Sequence, residues 1–131
     1  MTPAELKTHR EALGLTVGWL AEQARVGERT VRYWESGRNA VPEDVADLIR
    51  RIEMKTRAMV TAALDSVGQI LAEEGGSPES VDLRRYASDA ELWSKHPAFR
   101  PLPATWYAVT LARIARELDA RGIHSVIEYA N

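Results

Sequence analysis

The sequence predicts a mainly α-helical protein of the α+β class, with a bundle of short helices followed by a helical region that carries a small two-stranded sheet. Apolar residues recur every three or four positions up to Glu73, the period of a helix with one buried face. Glycines at 14, 27 and 37 divide the first part of this pattern into short segments. Two short segments, Val81–Ala87 and Ser125–Tyr129, are candidate strands. Together these observations predict a first domain at residues 1–55 and a second at 56–131.

The ends of the first three helices are marked by capping residues. Thr2 followed by Pro3 predicts the start of the first helix, and Gly14 predicts its end. Thr16 is a cap for a second helix. A third helix is expected over Glu28–Glu35, closed by a glycine.

A longer helical pattern follows Pro42. Apolar positions keep helical spacing from Val45 onward, which fits either one long helix or two stretches that share one line. We expect two stretches, with a bend near Lys55–Arg57. Gly75–Pro78 then breaks the chain and predicts a linker.

The last third of the chain has a different sequence pattern, with a capping motif, a proline-rich segment and a second amphipathic stretch. Ser88 and Glu91 predict the start of a short helix through a capping box. A rigid loop is expected over Pro97–Pro103, and Pro103 starts an amphipathic helix. Gly122 and the residue after it fit the Schellman motif that ends such a helix.

Composition limits the function. The 131 residues include no cysteine, which excludes disulfides and zinc–thiolate sites. No apolar run approaches the length of about 20 residues that spans a bilayer, and the N-terminus lacks signal-peptide features, so we expect a cytoplasmic protein. The histidines show no metal-ligand spacing and no enzyme motif is visible, so we expect no catalysis, metal or cofactor.

Charge is concentrated in one short segment. The chain has a net charge of −2. Arg25, Arg29, Arg32 and Arg38 nevertheless outnumber Glu28 and Glu35 between positions 25 and 38, a local net charge of +2. Because the distribution of charge decides nucleic-acid binding more than the total does, this segment is the candidate contact surface.

The third helix has one apolar side and one polar side. Val31 and Trp34 are its inward positions, so helical periodicity turns the intervening positions outward. Side chains there can exchange hydrogen bonds with base edges in the major groove. These outward residues are Glu28, Arg29, Arg32 and Tyr33.

Simpler interpretations of these side chains remain open. Arg29 and Arg32 fit solvated helix charges as well as base contacts. Glu28 either accepts a hydrogen bond from cytosine or only pairs with Arg32 one turn on. Tyr33 either packs against a neighbour or meets a phosphate.

The N-terminal residues resemble the Xre/Cro-type helix-turn-helix of phage repressors over positions 3–53. The residues that carry the resemblance are Leu13-Gly14-Leu15-Thr16, Leu20-Ala21, Val26, Arg29-Thr30-Val31 and Trp34-Glu35-Ser36-Gly37-Arg38. It implies a buried pair between Arg10 and Glu35. Together with the outward face of the third helix, this predicts DNA contacts from Glu28, Arg29, Thr30, Arg32, Tyr33, Arg38 and Asn39, with Arg38, past the helix end, on phosphate.

The sequence departs from that family at three positions. Val17 stands where a glutamine is usual at the start of the second helix, which puts one DNA contact in doubt. Arg25 replaces the usual glycine of the turn. Gly27 replaces the usual serine or threonine cap of the third helix.

The C-terminal third is similar to the YdiL-like family, which includes anti-CRISPR-associated repressors. The residues that carry this similarity are Tyr86–Trp93, Leu102-Pro103 and the last helix and strand. It implies a dimerisation domain with a small sheet.

Together these observations predict a homodimeric transcriptional regulator, a repressor that binds an inverted repeat in double-stranded DNA near its own promoter. One alternative is an antitoxin-type module that binds a toxin partner and autoregulates its operon. Another is an adaptor that uses the same fold to bind RNA or protein.

Overall fold

The computed structural model of the chain describes residues 1–74 and 80–131. These residues form six α-helices, two strands and a short 3-10 turn at Pro97–Phe99, which confirms the predicted fold class. The linker expected at Gly75–Pro78 lies outside the described residues. In chain order the elements are α1 Pro3–Ala12, α2 Val17–Ala24, α3 Glu28–Ser36, α4 Glu43–Glu74, β1 Val81–Arg85, α5 Asp89–Lys95, α6 Ala104–Ala120 and β2 Ser125–Tyr129.

The chain divides into two compact units, Met1–Lys55 and Thr56–Asn131. The first contains α1 to α3 and the beginning of α4, and the second contains the remaining elements. Unit 1 has buried apolar residues on each of its helices and in the loop after α1. They include Leu6, Leu13, Leu20, Val31, Trp34, Val45 and Ile49.

The predicted helix starts in unit 1 are confirmed. The Thr2 hydroxyl accepts a hydrogen bond from the Glu5 amide, and the Glu5 carboxylate accepts one from the Thr2 amide, both at 3.0 Å. Thr16 caps α2 by accepting from the Trp19 amide at 2.9 Å. These bonds satisfy amides that the helices themselves leave without acceptors.

Arg25 ends α2 in the left-handed conformation, with φ of 59°. An L residue with a side chain is strained there, which explains why glycine is usual in the family that the segment resembles. The chain turns at this point into α3. The turn therefore forms, at a cost in backbone strain that a glycine would avoid.

The expectation of two helical stretches between Pro42 and Glu73 is wrong, because Glu43–Glu74 is one continuous helix. No glycine or proline occurs in it before Gly68. Lys55, Thr56 and Arg57, the positions of the expected bend, all tolerate helical backbone. Sharp kinks need a proline, a glycine or an inserted group, and none is present at these positions.

The two strands of unit 2 pair in parallel, with Val81 opposite Ser125 and Arg85 opposite Tyr129. Parallel neighbours need a long crossover, and α5 and α6 supply it here. The first strand ends at Arg85, two residues before the predicted Ala87. Within the described residues no third strand extends this sheet.

The sheet packs on an apolar cluster built from Val60, Ile114 and Leu118, against which Leu83 and Ile123 also pack. The Ile123 amide donates to the Leu118 carbonyl at 2.9 Å and the Gly122 amide to the Asp119 carbonyl at 2.9 Å. This is the predicted Schellman motif with its hydrophobic contact. It directs the chain from α6 into β2.

Candidate nucleic-acid interface

Helix α3 has a fixed orientation within unit 1. Its inward residues are buried, Val31 with no exposed surface and Trp34 with 6%. Both α1 and α2 contact it. With the apolar side held in this way, the opposite side of α3 faces solvent, as the periodicity predicted.

A buried ion pair joins α1 to the last turn of α3. The Arg10 Nε and Nη2 atoms donate to the two Glu35 carboxylate oxygens at 2.7 and 2.9 Å, and Nη1 donates to the Leu15 carbonyl at 2.9 Å. Hydrogen bonding to Glu35 raises the pKa of Arg10. The pair implied by the family resemblance is confirmed, and its two-pronged geometry fixes the rotation of α3 about its axis.

The N-terminal half of the exposed face carries Glu28, Arg29 and Arg32, all solvent-exposed. Glu28 and Arg32 lie one turn apart, with Oε1 3.6 Å from Nη2. Arg29 makes no ion pair with any residue in 1–74 or 80–131. Its guanidinium is therefore available to an external acceptor.

The C-terminal end of α3 brings three predicted residues together. The Arg38 guanidinium lies 4.4 Å from the centre of the Tyr33 ring, a cation–π contact. The Asn39 amide donates to the Tyr33 carbonyl at 3.1 Å. Gly37 adopts a φ of 85°, which turns the chain back toward Tyr33 after the end of α3. The side chain of Arg38 is thus ordered at the edge of the exposed face.

Thr30 differs from the other predicted contact residues. It is half-buried, and its amide donates to the Gly27 carbonyl at 3.1 Å in the first turn of α3. Helical geometry places it about 100° from Arg29, toward the packed side of the helix. A DNA contact from Thr30 stays a prediction.

Two polar residues next to this face were missed by the sequence analysis. A cleft of about 260 Å³ opens beside α3, and Lys7 and Ser36 line it together with Arg32. Its wall includes the ion pair of Arg10 and Glu35, whose charges cancel. Ser36 could have been found from its spacing of four residues after Arg32, but Lys7 comes from another helix and gave no signal.

Other kinds of site have no support among the described residues. No group of three or more His, Asp or Glu side chains in residues 1–74 and 80–131 could hold a metal ion. Across the same part of the chain, no helix combines the length and hydropathy that crossing a membrane requires.

Comparison with known proteins agrees with this geometry. Residues 4–63, which include α1, α2 and α3, match the family described as a helix-turn-helix domain. The chain is also similar to the Aca2 repressor of Pectobacterium phage ZF40, with 52% identity over 46 residues. That match covers 34% of this chain and 40% of the repressor. The chain therefore spans less than half the length of this relative.

Proposed function

We propose that this protein is a homodimeric repressor that binds an inverted-repeat operator near its own promoter. The main support is the exposed face of α3, which presents Arg29 on a helix whose rotation is fixed by Arg10 and Glu35. Just beyond the helix end, Arg38 is held on the ring of Tyr33. A rigid element positions base-contacting side chains better than a mobile one does. The similarity of part of the chain to a phage repressor supports the same function.

The proposed binding mode divides the residues of α3 into two groups. Arg29 is in the first turn, the end of a recognition helix that usually contacts base edges, and can donate two hydrogen bonds to guanine. Arg38 follows the helix and binds a phosphate, held in place by Tyr33. Occupancy of the operator by this domain excludes RNA polymerase from the promoter.

Dimerisation through unit 2 accounts for the symmetry of the operator. A two-stranded sheet is only marginally stable without further cover. On β2 two large apolar side chains are exposed, Ile127 by 43% and Tyr129 by 61%. Two identical reading domains related by a two-fold axis require a DNA site with the same symmetry.

Selection of bound duplexes from a random library, followed by footprinting on the DNA upstream of the gene, tests the function. We expect an inverted repeat that overlaps a promoter, with half-site centres about 10 bp or a small multiple apart. A reporter under that promoter is then repressed when the protein is present. Recovery of a single asymmetric site bound by a monomer would contradict the proposal.

Light scattering on the full chain tests the dimer. Ile127→Asp places a charge on the apolar surface of β2, so we expect it to shift the mass from dimer to monomer. Met54→Asp is the matched control, because it changes an apolar side chain that is 69% exposed in unit 1. If Ile127→Asp stays dimeric, the interface lies elsewhere.

A further inference from the structure

The ion pair of Glu28 and Arg32 lies on the surface that we propose to face DNA. The two side chains are 56% and 64% exposed, and their atoms are 3.6 Å apart. Arg29, on the same face, has no such partner in the described part of the chain. Of these two exposed arginines, one is thus free and the other is paired with a carboxylate.

The Glu28 carboxylate also lies beside the first turn of α2. An ideal Cβ atom on Gly18 would be 3.7 Å from Oε1 of Glu28, and 3.9 Å from the Thr16 hydroxyl. The first turn of α2 contains no acidic residue of its own. Glu28 thus brings a negative charge from α3 to the positive end of the α2 dipole, where a carboxylate is favoured.

Arg32 and the start of α2 are both groups that attract a DNA phosphate. A phosphate that approaches either one is repelled by Glu28, which already lies next to both. An exposed ion pair is weak enough to be exchanged for another partner. Glu28 is therefore a local competitor of the DNA backbone for these two groups.

A matching base changes this competition. In the major groove, cytosine N4 and adenine N6 are the amino groups that donate hydrogen bonds to a carboxylate. When Glu28 accepts such a bond, its charge is satisfied and Arg32 is free to contact DNA. Non-specific DNA is contacted through its phosphates, and these offer no hydrogen-bond donor to the Glu28 carboxylate.

We infer that Glu28 determines the ratio of operator affinity to non-specific affinity, by masking Arg32 and the start of α2 from phosphates until a base amino group engages the carboxylate. This inference rests on the proposed DNA-binding function. It differs from a simple helix-stabilising pair, which would affect unfolding but not the choice of DNA.

The test uses full-length Glu28→Gln, Arg32→Gln and the double variant, titrated with the selected operator and with a scrambled duplex at several salt concentrations. Glutamine keeps the shape of Glu28 and removes its charge. We expect Glu28→Gln to bind scrambled DNA roughly two to five times more tightly, the range that an exposed ion pair spans. Operator affinity rises less, so the ratio falls.

Two further observations are expected. On scrambled DNA, the slope of log affinity against log salt concentration steepens by up to about 0.9, the effect of one added phosphate contact. In the Arg32→Gln background, most of the gain from Glu28→Gln disappears. Asp47→Asn is the matched control: it also removes one carboxylate from an exposed pair, with Arg50 at 3.0 Å, and we expect no change in the ratio.

Three results would overturn the inference. Equal gains on both duplexes would mean that Glu28 acts only through net charge. Loss on the operator with no gain on scrambled DNA would make Glu28 an ordinary base contact. No change on either duplex would make the pair inert. A wild-type protein that selects no sequence at all would instead refute the proposed function, and the inference with it.

Discussion

Arg10 and Glu35 form a two-pronged ion pair in which both side chains are less than one-tenth exposed, 9% and 7%. The third bond of Arg10, to the Leu15 carbonyl, lies in the loop before α2. One guanidinium therefore connects α1, the α1–α2 loop and the end of α3. In this way a residue with no DNA-reading role fixes the direction in which the reading residues point.

We expect that breaking this pair lowers the free energy of unfolding of unit 1. Removing one partner of a buried pair leaves the other charge without compensation, at a cost of about 3–5 kcal/mol. Arg10→Met should therefore lower the melting temperature sharply, as measured by calorimetry or circular dichroism. Glu22→Gln, at an exposed position of α2, is the control. If both variants lower the melting temperature equally, the buried pair stabilises unit 1 no more than an exposed charge does.

Arg29 is expected to read a base. Arg29→Ala should weaken operator binding by about 1–3 kcal/mol, the discrimination of one bidentate arginine–guanine contact. It should leave scrambled DNA nearly unaffected and relax the preference at one base pair per half-site. Titrations of both duplexes measure this, with Arg50→Ala as a control because Glu43 and Asp47 already hold that arginine. Equal losses on both duplexes would make Arg29 a backbone contact.

Arg38 is expected to bind phosphate. Arg38→Ala should weaken operator and scrambled DNA alike and reduce the log–log salt slope by about 0.9. The stacked ring of Tyr33 orders the guanidinium, so Tyr33→Ala should have a smaller effect of the same kind. Tyr33→Phe keeps the ring and should bind normally. If Tyr33→Phe binds as weakly as Tyr33→Ala, the hydroxyl of Tyr33 itself contacts DNA.

The orientation of α3 was predictable because it depends on local sequence. The spacing of Val31 and Trp34 alone separates its two sides, and Glu28, Arg29 and Arg32 were assigned to the outward side without a structure. The stacking of Arg38 on Tyr33 was not predictable, because it depends on how the chain turns at Gly37. The residue Lys7 was missed for a related reason, since only the packing of α1 on α3 brings it to the cleft beside Arg32.

The limits in unit 2 have a similar origin. Short apolar segments predict strands but do not determine their relative direction. The parallel pairing of Val81–Arg85 with Ser125–Tyr129 is therefore seen only in the structure. The spacing along α4 fitted one helix and two equally well. Its continuity follows from the absence of a proline or glycine near Thr56, since nothing there interrupts the helical backbone.

Replacing Arg25 by glycine is expected to stabilise unit 1. A left-handed residue with a side chain costs roughly 1–2 kcal/mol, whereas the extra backbone freedom of glycine costs about 0.5–1 kcal/mol. The strain is the larger effect at a φ of 59°. Arg25→Gly should therefore raise the free energy of unfolding by up to about 1.5 kcal/mol. Arg25→Ala separates the backbone from the charge: it keeps the strain, so it should not stabilise.

The last prediction concerns a buried hydrogen bond in unit 2. The Trp106 indole N–H donates to the Thr56 hydroxyl at 2.9 Å, and the two residues are 0% and 2% exposed. Thr56→Val keeps the shape of the side chain but leaves the indole donor without this acceptor. An unsatisfied buried donor costs about 1–3 kcal/mol, so chemical denaturation should show a loss of that size.

Thr56→Ser separates the hydrogen bond from packing, because it keeps the hydroxyl and removes only a methyl group. We expect Thr56→Ser to lose less stability than Thr56→Val. The two variants also differ in tryptophan fluorescence, since only Thr56→Val changes the partner of the Trp106 N–H. If Thr56→Ser is the less stable of the two, the methyl contacts of Thr56 contribute more to stability than its hydrogen bond to Trp106 does.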